Sequence, residues 1–105
     1  MTIAKLLTDK NGLYGFEVSG HSTENCDDLE GKLVCAFISS AVYMAANTIT
    51  EVVGDKCEVK VEDGFMRLTA DAPKDGTKTV LEGLKLHLTE LSKQYPKQIK
   101  IITEV

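Results

Sequence analysis

The 105-residue chain is short of the residues that chemistry most often draws on. It has three cysteines, Cys26, Cys35 and Cys57, and only two histidines, His21 and His87. An odd cysteine count leaves at least one thiol that cannot pair within the chain. There is no C-x-x-C pair and the histidines stand singly, which argues against the usual zinc spacings. The acidic stretch Glu24-Asn25-Cys26-Asp27-Asp28 lacks the alternating oxygen ligands of a calcium loop. No phosphate-cradling glycine loop or nucleotide fingerprint is present. Neither a metal nor a cofactor is therefore expected. Positive charge is also in deficit: 12 Lys and Arg against 16 Asp and Glu leave a net charge of −4. That balance disfavours direct nucleic-acid binding through a broad basic face. No uninterrupted apolar run approaches the roughly 18–20 residues of a membrane span. No secretory leader is evident, since residues 1–7 run straight into the polar Thr8-Asp9-Lys10-Asn11-Gly12. A cytoplasmic chain with reduced thiols and no membrane partner is expected.

What is present fits one soluble globular domain over residues 1–105: 43% apolar and 27% charged side chains, without linkers or repeats. Residues 2–8 and 13–19 read as strands around Asp9-Lys10-Asn11-Gly12, with Asn11 and Gly12 taking positive φ. Tyr14, Phe16 and Val18 alternate onto one face. Gly20 to Gly31 is a polar loop. Residues 32–53 form a long helix, apolar on nearly all sides, which should be buried on more than one flank. Gly54 is its left-handed cap. Residues 56–62 and 65–70 form a hairpin around a type I′ Asp63-Gly64 turn. It should pair Val61 with Met66, Val59 with Leu68 and Cys57 with Ala70, all six on the core side. Residues 77–94 form an amphipathic helix with Val80, Leu81, Leu84, Leu88, Leu91 and Tyr95 as its stripe, ended by Pro96. Residues 97–105 make a last strand. The order ββαββαβ implies an α+β fold, a mostly antiparallel sheet packed with two helices.

Two features bear on chemistry. His21 follows Gly20 on a loop, where binding and catalytic groups concentrate. Cys35 is expected in the first turn of the long helix, where unpaired N–H groups and the macrodipole favour a thiolate. A loop that carries a histidine and leads straight into a helix that carries a cysteine can supply a nucleophile with its base. The alternative for Cys35 is a small buried core residue, the commoner fate of cysteine. Ser39, four residues on, shares the face of Cys35; it can bond near the thiol or back to the Cys35 carbonyl. His87 reads as a flank of the core stripe and Cys57 as core. The neighbouring carboxylates of Cys26 make it a poor thiolate.

Val18-Ser19-Gly20-His21, followed by Leu33-Val34-Cys35-Ala36-Phe37-Ile38-Ser39, resembles the ribosomal-processing cysteine protease family. The similarity extends through the Gln94-Tyr95-Pro96 break and the final Ile-Lys-Ile strand. The resemblance implies a cytoplasmic homodimeric endopeptidase that removes the N-terminal extension of large-subunit ribosomal protein L twenty-seven, cutting after a pair of bulky apolar residues. It assigns Cys35 as nucleophile and His21 as general base and acid, with Gly20, Ala36 and Ser39 binding substrate or supporting the site. Lys32 stands where many members carry an aspartate, so a third, acidic member would have to come from Asp28 or Glu30. The stretch between His21 and Cys35 is slightly longer than in many relatives. Helix-start N–H groups are the expected oxyanion donors, and the loop between Gly20 and Gly31 a plausible lid. Glu24, Asp27, Asp28 and Glu30 would attract a basic substrate segment. Two other classes stay open on the sequence: a non-catalytic ribosome-associated binding module with a structural Cys35, and a thiol redox protein using Cys26 to resolve Cys35.

Overall fold

Alternating apolar residues and two hairpin turns generate five strands, and two apolar stripes generate two helices. The computed structural model describes residues 1–20 and 29–105. The elements are β1 (Thr2–Asp9), β2 (Gly12–Ser19), α1 (Leu29–Asn47) running on into a π-helical turn (Thr48–Val53), β3 (Glu58–Glu62), β4 (Phe65–Thr69), α2 (Asp75–Gln94) and β5 (Ile99–Glu104). The sheet order is β3-β4-β2-β1-β5. Every neighbouring pair is antiparallel except β1 and β5. The expected ββαββαβ order is thus found, as a five-stranded mixed sheet with two helices.

The β1–β2 hairpin departs from expectation in phase. Thr8 pairs with Leu13 but Leu7 pairs with Gly15, so the register skips Tyr14. This β-bulge uses one residue and reverses the alternation beyond it. Leu13 therefore joins Phe16 and Val18 in the core, whereas Tyr14 does not. Gly12 alone has positive φ in this turn, at 108°. Asn11 instead donates its N–H to Asp9 Oδ1 at 2.8 Å, an Asx-type turn.

α1 begins at Leu29, earlier than the spacing suggested. With its π-helical turn it forms a continuous helix of 25 residues, with a mean hydropathy of 1.5 in its most apolar stretch. By length and composition it could cross a membrane, contrary to the sequence expectation. Here it acts as a core helix: Val34, Ile38, Val42, Ala45, Ala46 and Ile49 are sealed inside. The opposite side is open, with Leu33, Phe37, Tyr43, Met44 and Val52 exposed. Near its end Thr48 Oγ1 donates to Met44 O at 2.7 Å and Thr50 Oγ1 to Ala46 O at 3.0 Å. Such back-bonding competes with the backbone ladder and accompanies the widened last turn. Gly54 closes the helix at φ 76°, as expected, with its N–H on the carbonyl of Ile49.

The second hairpin has the expected register, Val61 to Met66 and Val59 to Leu68. Its burial is different. Met66 and Leu68 are buried, but Val59 and Val61 are 46% and 51% exposed, and Cys57 lies before the strand, half-buried. β3 is the edge strand and the helices do not reach over it. Only Gly64 has positive φ in the turn, so Asp63-Gly64 is not type I′, which needs positive φ at both residues.

α2 buries Thr77, Leu81, Leu84, Leu88 and Leu91, spaced by three, four, four and three as a core-facing stripe requires. Its N-terminus is capped from a distance. Asp55 Oδ2 accepts the Lys74 N–H at 2.9 Å and the Thr77 hydroxyl at 2.7 Å. The Lys74 N–H first, and then the Thr77 hydroxyl, hold the Asp55 carboxyl below its ordinary 3.8. On the helix-free face, the register sets opposite charges side by side. Arg67 lies 2.8 Å from Glu17, Lys5 3.6 Å from Glu17, and Lys5 3.3 Å from Glu104. Each such pair contributes at most about 1 kcal/mol.

Two changes test this packing. Leu88→Ala leaves a cavity under α2 and should cost about 2–5 kcal/mol in denaturant unfolding. Asp55→Asn should lower Tm at neutral pH. Because the folded-state pKa is depressed, the stabilisation is complete above the unfolded value and is lost as pH falls through the folded one. The Tm gap between wild type and Asp55→Asn should therefore close on acidification below about pH 4; a gap that stays constant with pH contradicts the assignment.

Candidate active site

β2 ends at Ser19, which pairs with Phe65 at the start of β4. The chain then leaves the sheet at Gly20, whose φ is 89°. Its N–H donates to Gly64 O at 2.9 Å, tying the strand end to the β3–β4 turn. A Cβ on Gly20 would stand 2.6 Å from the Met1 carbonyl oxygen. Backbone conformation and close approach both require glycine there. His21, Glu24, Cys26, Asp27 and Asp28 lie outside the described residues.

Cys35 is the seventh residue of α1, and this corrects the expectation of a first-turn cysteine. The free N–H groups of a helix belong to its first four residues, here 29–32, so the amide of Cys35 falls within the helical ladder. Neither unpaired backbone donors at Cys35 nor its own N–H as oxyanion donor can be invoked. The helix brings Cys35 and Ser39 onto one side, and both line a cleft of about 220 Å³. α1 forms one wall, with Tyr43 further along. The β3–β4 turn, Glu62 to Phe65, forms the other, and Gly20 and Thr2 close one end. Cys35 is half-buried. The structure thus gathers Gly20, Cys35 and Ser39. Ala36 does not join them: it is exposed and outside the cleft lining.

The remaining candidates separate clearly. His87 is exposed in a different groove, about 760 Å³, between α1 and α2 beside Met44 and Tyr95; none of the described residues lines both spaces. Cys57 is packed against the core. Burial first, and then the Asp55 carboxylate, push its thiol pKa up. Glu30, a possible acidic third member, accepts a 3.1 Å hydrogen bond on Oε2 from Gln98 Nε2, which ties the start of α1 to the approach to β5. Lys32 is exposed on α1. The β3–β4 turn was not anticipated as part of the site. Its Asp-Gly pair marks a turn, but only the β2–β4 pairing brings it beside Cys35.

The family model described as cysteine protease Prp matches residues 1–100. The chain belongs to the Prp family. It is accordingly a cysteine protease, and Cys35 is the cysteine that the described structure presents in a cleft. The fold is shared with solved Prp structures. One, an essential ribosomal processing protease Prp from S. aureus in complex with a covalently linked product peptide, is 17% identical with a TM-score of 0.87; the match covers 99% of this chain and 100% of that one. The same description with a substrate peptide applies to a second, at 14% identity, TM-score 0.83 and coverage of 99% and 100%. SMU.848 from Streptococcus mutans is 20% identical, with a TM-score of 0.82 over 99% and 96% of the two chains. No curated protein matches the chain. Membership of the Prp family decides between the classes left open by the sequence, in favour of the protease.

Gly20→Ala tests the geometry at the strand end. The strained φ and the contact with Met1 should together cost about 1–3 kcal/mol of stability in urea unfolding, whereas alanine at Gly83, which has open space around it, should be neutral or stabilising.

Proposed function

We propose that the protein is a ribosomal-protein-processing endopeptidase in which Cys35 is the nucleophile and His21 the general base and acid. The observation that carries this reading is the shared cleft. Cys35 and Ser39 line it from α1, and Gly20, the residue immediately before His21, lines it from the end of β2. His21 takes the thiol proton as Sγ attacks the scissile carbonyl, then delivers that proton to the leaving amine. Water hydrolyses the thioester, returning the free thiol and releasing the carboxylate product. Ser39 supports the thiol from one turn along the same helix face.

The substrate we propose is the N-terminal extension of large-subunit ribosomal protein L twenty-seven, in the cytoplasm. Support comes from the Prp family match and from the ribosomal-processing description of the S. aureus relatives with bound peptides. A homodimer is part of the same proposal. It is supported by the outward face of α1, where Phe37 and Met44 remain exposed and Phe37 leans on Tyr95 with ring centroids 6.2 Å apart. An apolar groove of this kind is costly to leave in water.

A peptide spanning the extension junction should be cut by wild type and by His87→Ala, and not detectably by Cys35→Ser or His21→Ala. Full activity in Cys35→Ser ends the proposal, and loss of activity in a folded His87→Ala protein moves the base elsewhere. Iodoacetamide near neutral pH should modify Cys35 well before Cys57, whose thiolate burial disfavours. Met44→Glu should shift a dimer toward monomer in sedimentation; an unchanged dimer places the interface off this face.

A further inference from the structure

β3 is the outer strand of the sheet, with no strand paired beyond it among the described residues. Every residue of it is exposed. Which of its backbone groups face outward follows from the pairing further in. Gly20 N–H donates to Gly64 O at 2.9 Å and Ala70 N–H to Tyr14 O at 2.9 Å. The even-numbered positions along β4 therefore aim their hydrogen bonds at β2. Its odd-numbered positions serve β3, where they pair with Glu58, Lys60 and Glu62. Successive residues of an antiparallel strand alternate in this respect. The N–H and C=O groups of Cys57, Val59 and Val61 thus point out of the sheet edge, a template for another strand. The side chains alternate too. Val59 and Val61 lie on the helix side, in line with their partners Leu68 and Met66. Glu58, Lys60 and Glu62 lie on the helix-free side, where Lys60 Nζ stands 3.6 Å from Glu62 and 6.0 Å from the centre of the Phe65 ring. Continuing the alternation puts Cys57 with the valines and Lys56 with the charges.

A strand laid antiparallel to its own copy about a two-fold axis meets its own residues in reverse order. Centring the axis on Val59 sets Glu58 opposite Lys60 of the second copy and Lys56 opposite Glu62, each contact repeated by symmetry. It also sets Val59 against Val59 and Val61 against Cys57. Those are the residues whose backbone groups point outward, so each pair can exchange both of its hydrogen bonds. Other centres fail. On Lys60, Glu58 meets Glu62 and Lys60 meets itself. On Glu58, that carboxylate meets its own copy and Lys60 meets Lys56. On Val61, the pairing runs into the Asp63-Gly64 turn. Asp55, next along the chain, is already held by Lys74 and Thr77.

We infer that β3 is a self-complementary docking edge, which pairs with β3 of a second copy of this chain in the register centred on Val59. The pairing joins two five-stranded sheets into one and gives the exposed Val59 and Val61 apolar neighbours. Apolar pairs and opposite charges set across strands stabilise such a ladder. One strand a side is a small interface, so the association is weak and reversible. It is separate from the α1 face of the proposed homodimer, because no residue from Lys56 to Glu62 lines the groove between α1 and α2. Nor does it depend on the role of Cys35.

The test is sedimentation velocity over a concentration series, in a Met44→Glu parent designed to remove association through α1. Self-association should persist in this parent up to millimolar concentration. Glu58→Lys and Lys60→Glu, each added alone, set like charges opposite one another and should weaken it by about two- to thirtyfold. An equimolar mixture of the two variants should associate as well as the parent, because each then faces the opposite sign on the other. Val59→Pro removes an outward N–H that the isolated chain does not use. It should abolish association and leave the far-ultraviolet circular dichroism unchanged; the charge variants decide the matter if proline unfolds the edge. A parent that stays monomeric at millimolar concentration overturns the inference. So does a mixture that associates no better than either variant alone. Failure of Met44→Glu to alter the dimer counts against the α1 face only, and the charge variants still report on β3.

Discussion

The structure depends on how far two helices can reach across a five-stranded sheet. α1 and α2 seal Ala4, Leu6, Phe16, Val18, Met66, Leu68 and Ile99 against their own apolar stripes. β3 falls outside that cover, and Val59 and Val61 stay in water although their partners on β4 are buried. This incomplete cover leaves room for the cleft that Cys35 and Ser39 line. A hairpin whose outer strand stands clear of α1 leaves a gap between its turn and the helix, and Cys35 lies in that gap. A third helix over β3 would bury two valines and fill the cleft beside Cys35.

The local chemistry of the chain was largely legible. Alternation identified all five strands, and apolar spacing identified both helices. The Asp63-Gly64 pair gave the correct hairpin register even though the turn type was different. Gly54 ended its helix as its freedom at positive φ requires. The misreadings share one physical origin, which is that they depend on partners distant in sequence. Tyr14 was set on one face with Phe16 and Val18 because a bulge is defined by the opposite strand. Val59 and Val61 were placed inside because edge position follows from sheet order, not from the residues of the strand. Asp55 caps a helix that begins 20 residues later, and no local motif announces that.

The site divides in the same way. The meeting of Gly20, Cys35 and Ser39 in one cleft follows from short-range rules: positive φ at a strand end, and a four-residue step along a helix. With α1 starting at Leu29, the helix terminus no longer offers an electrostatic account of thiolate formation at Cys35. The β3–β4 turn became part of the cleft only through the pairing of Ser19 with Phe65. The α1 wall of the cleft thus follows local sequence, whereas the wall across from it follows sheet topology.

The approach of Gly20 to the Met1 carbonyl carries a practical consequence. Met1 lies against Gly20 at the end of β2, and Gly20 and Thr2 both line the cleft. Residues fused ahead of Met1 would therefore emerge beside the cleft and crowd it. Val105, fully exposed at the other terminus, is the better place for an affinity tag, a fluorophore or a surface tether.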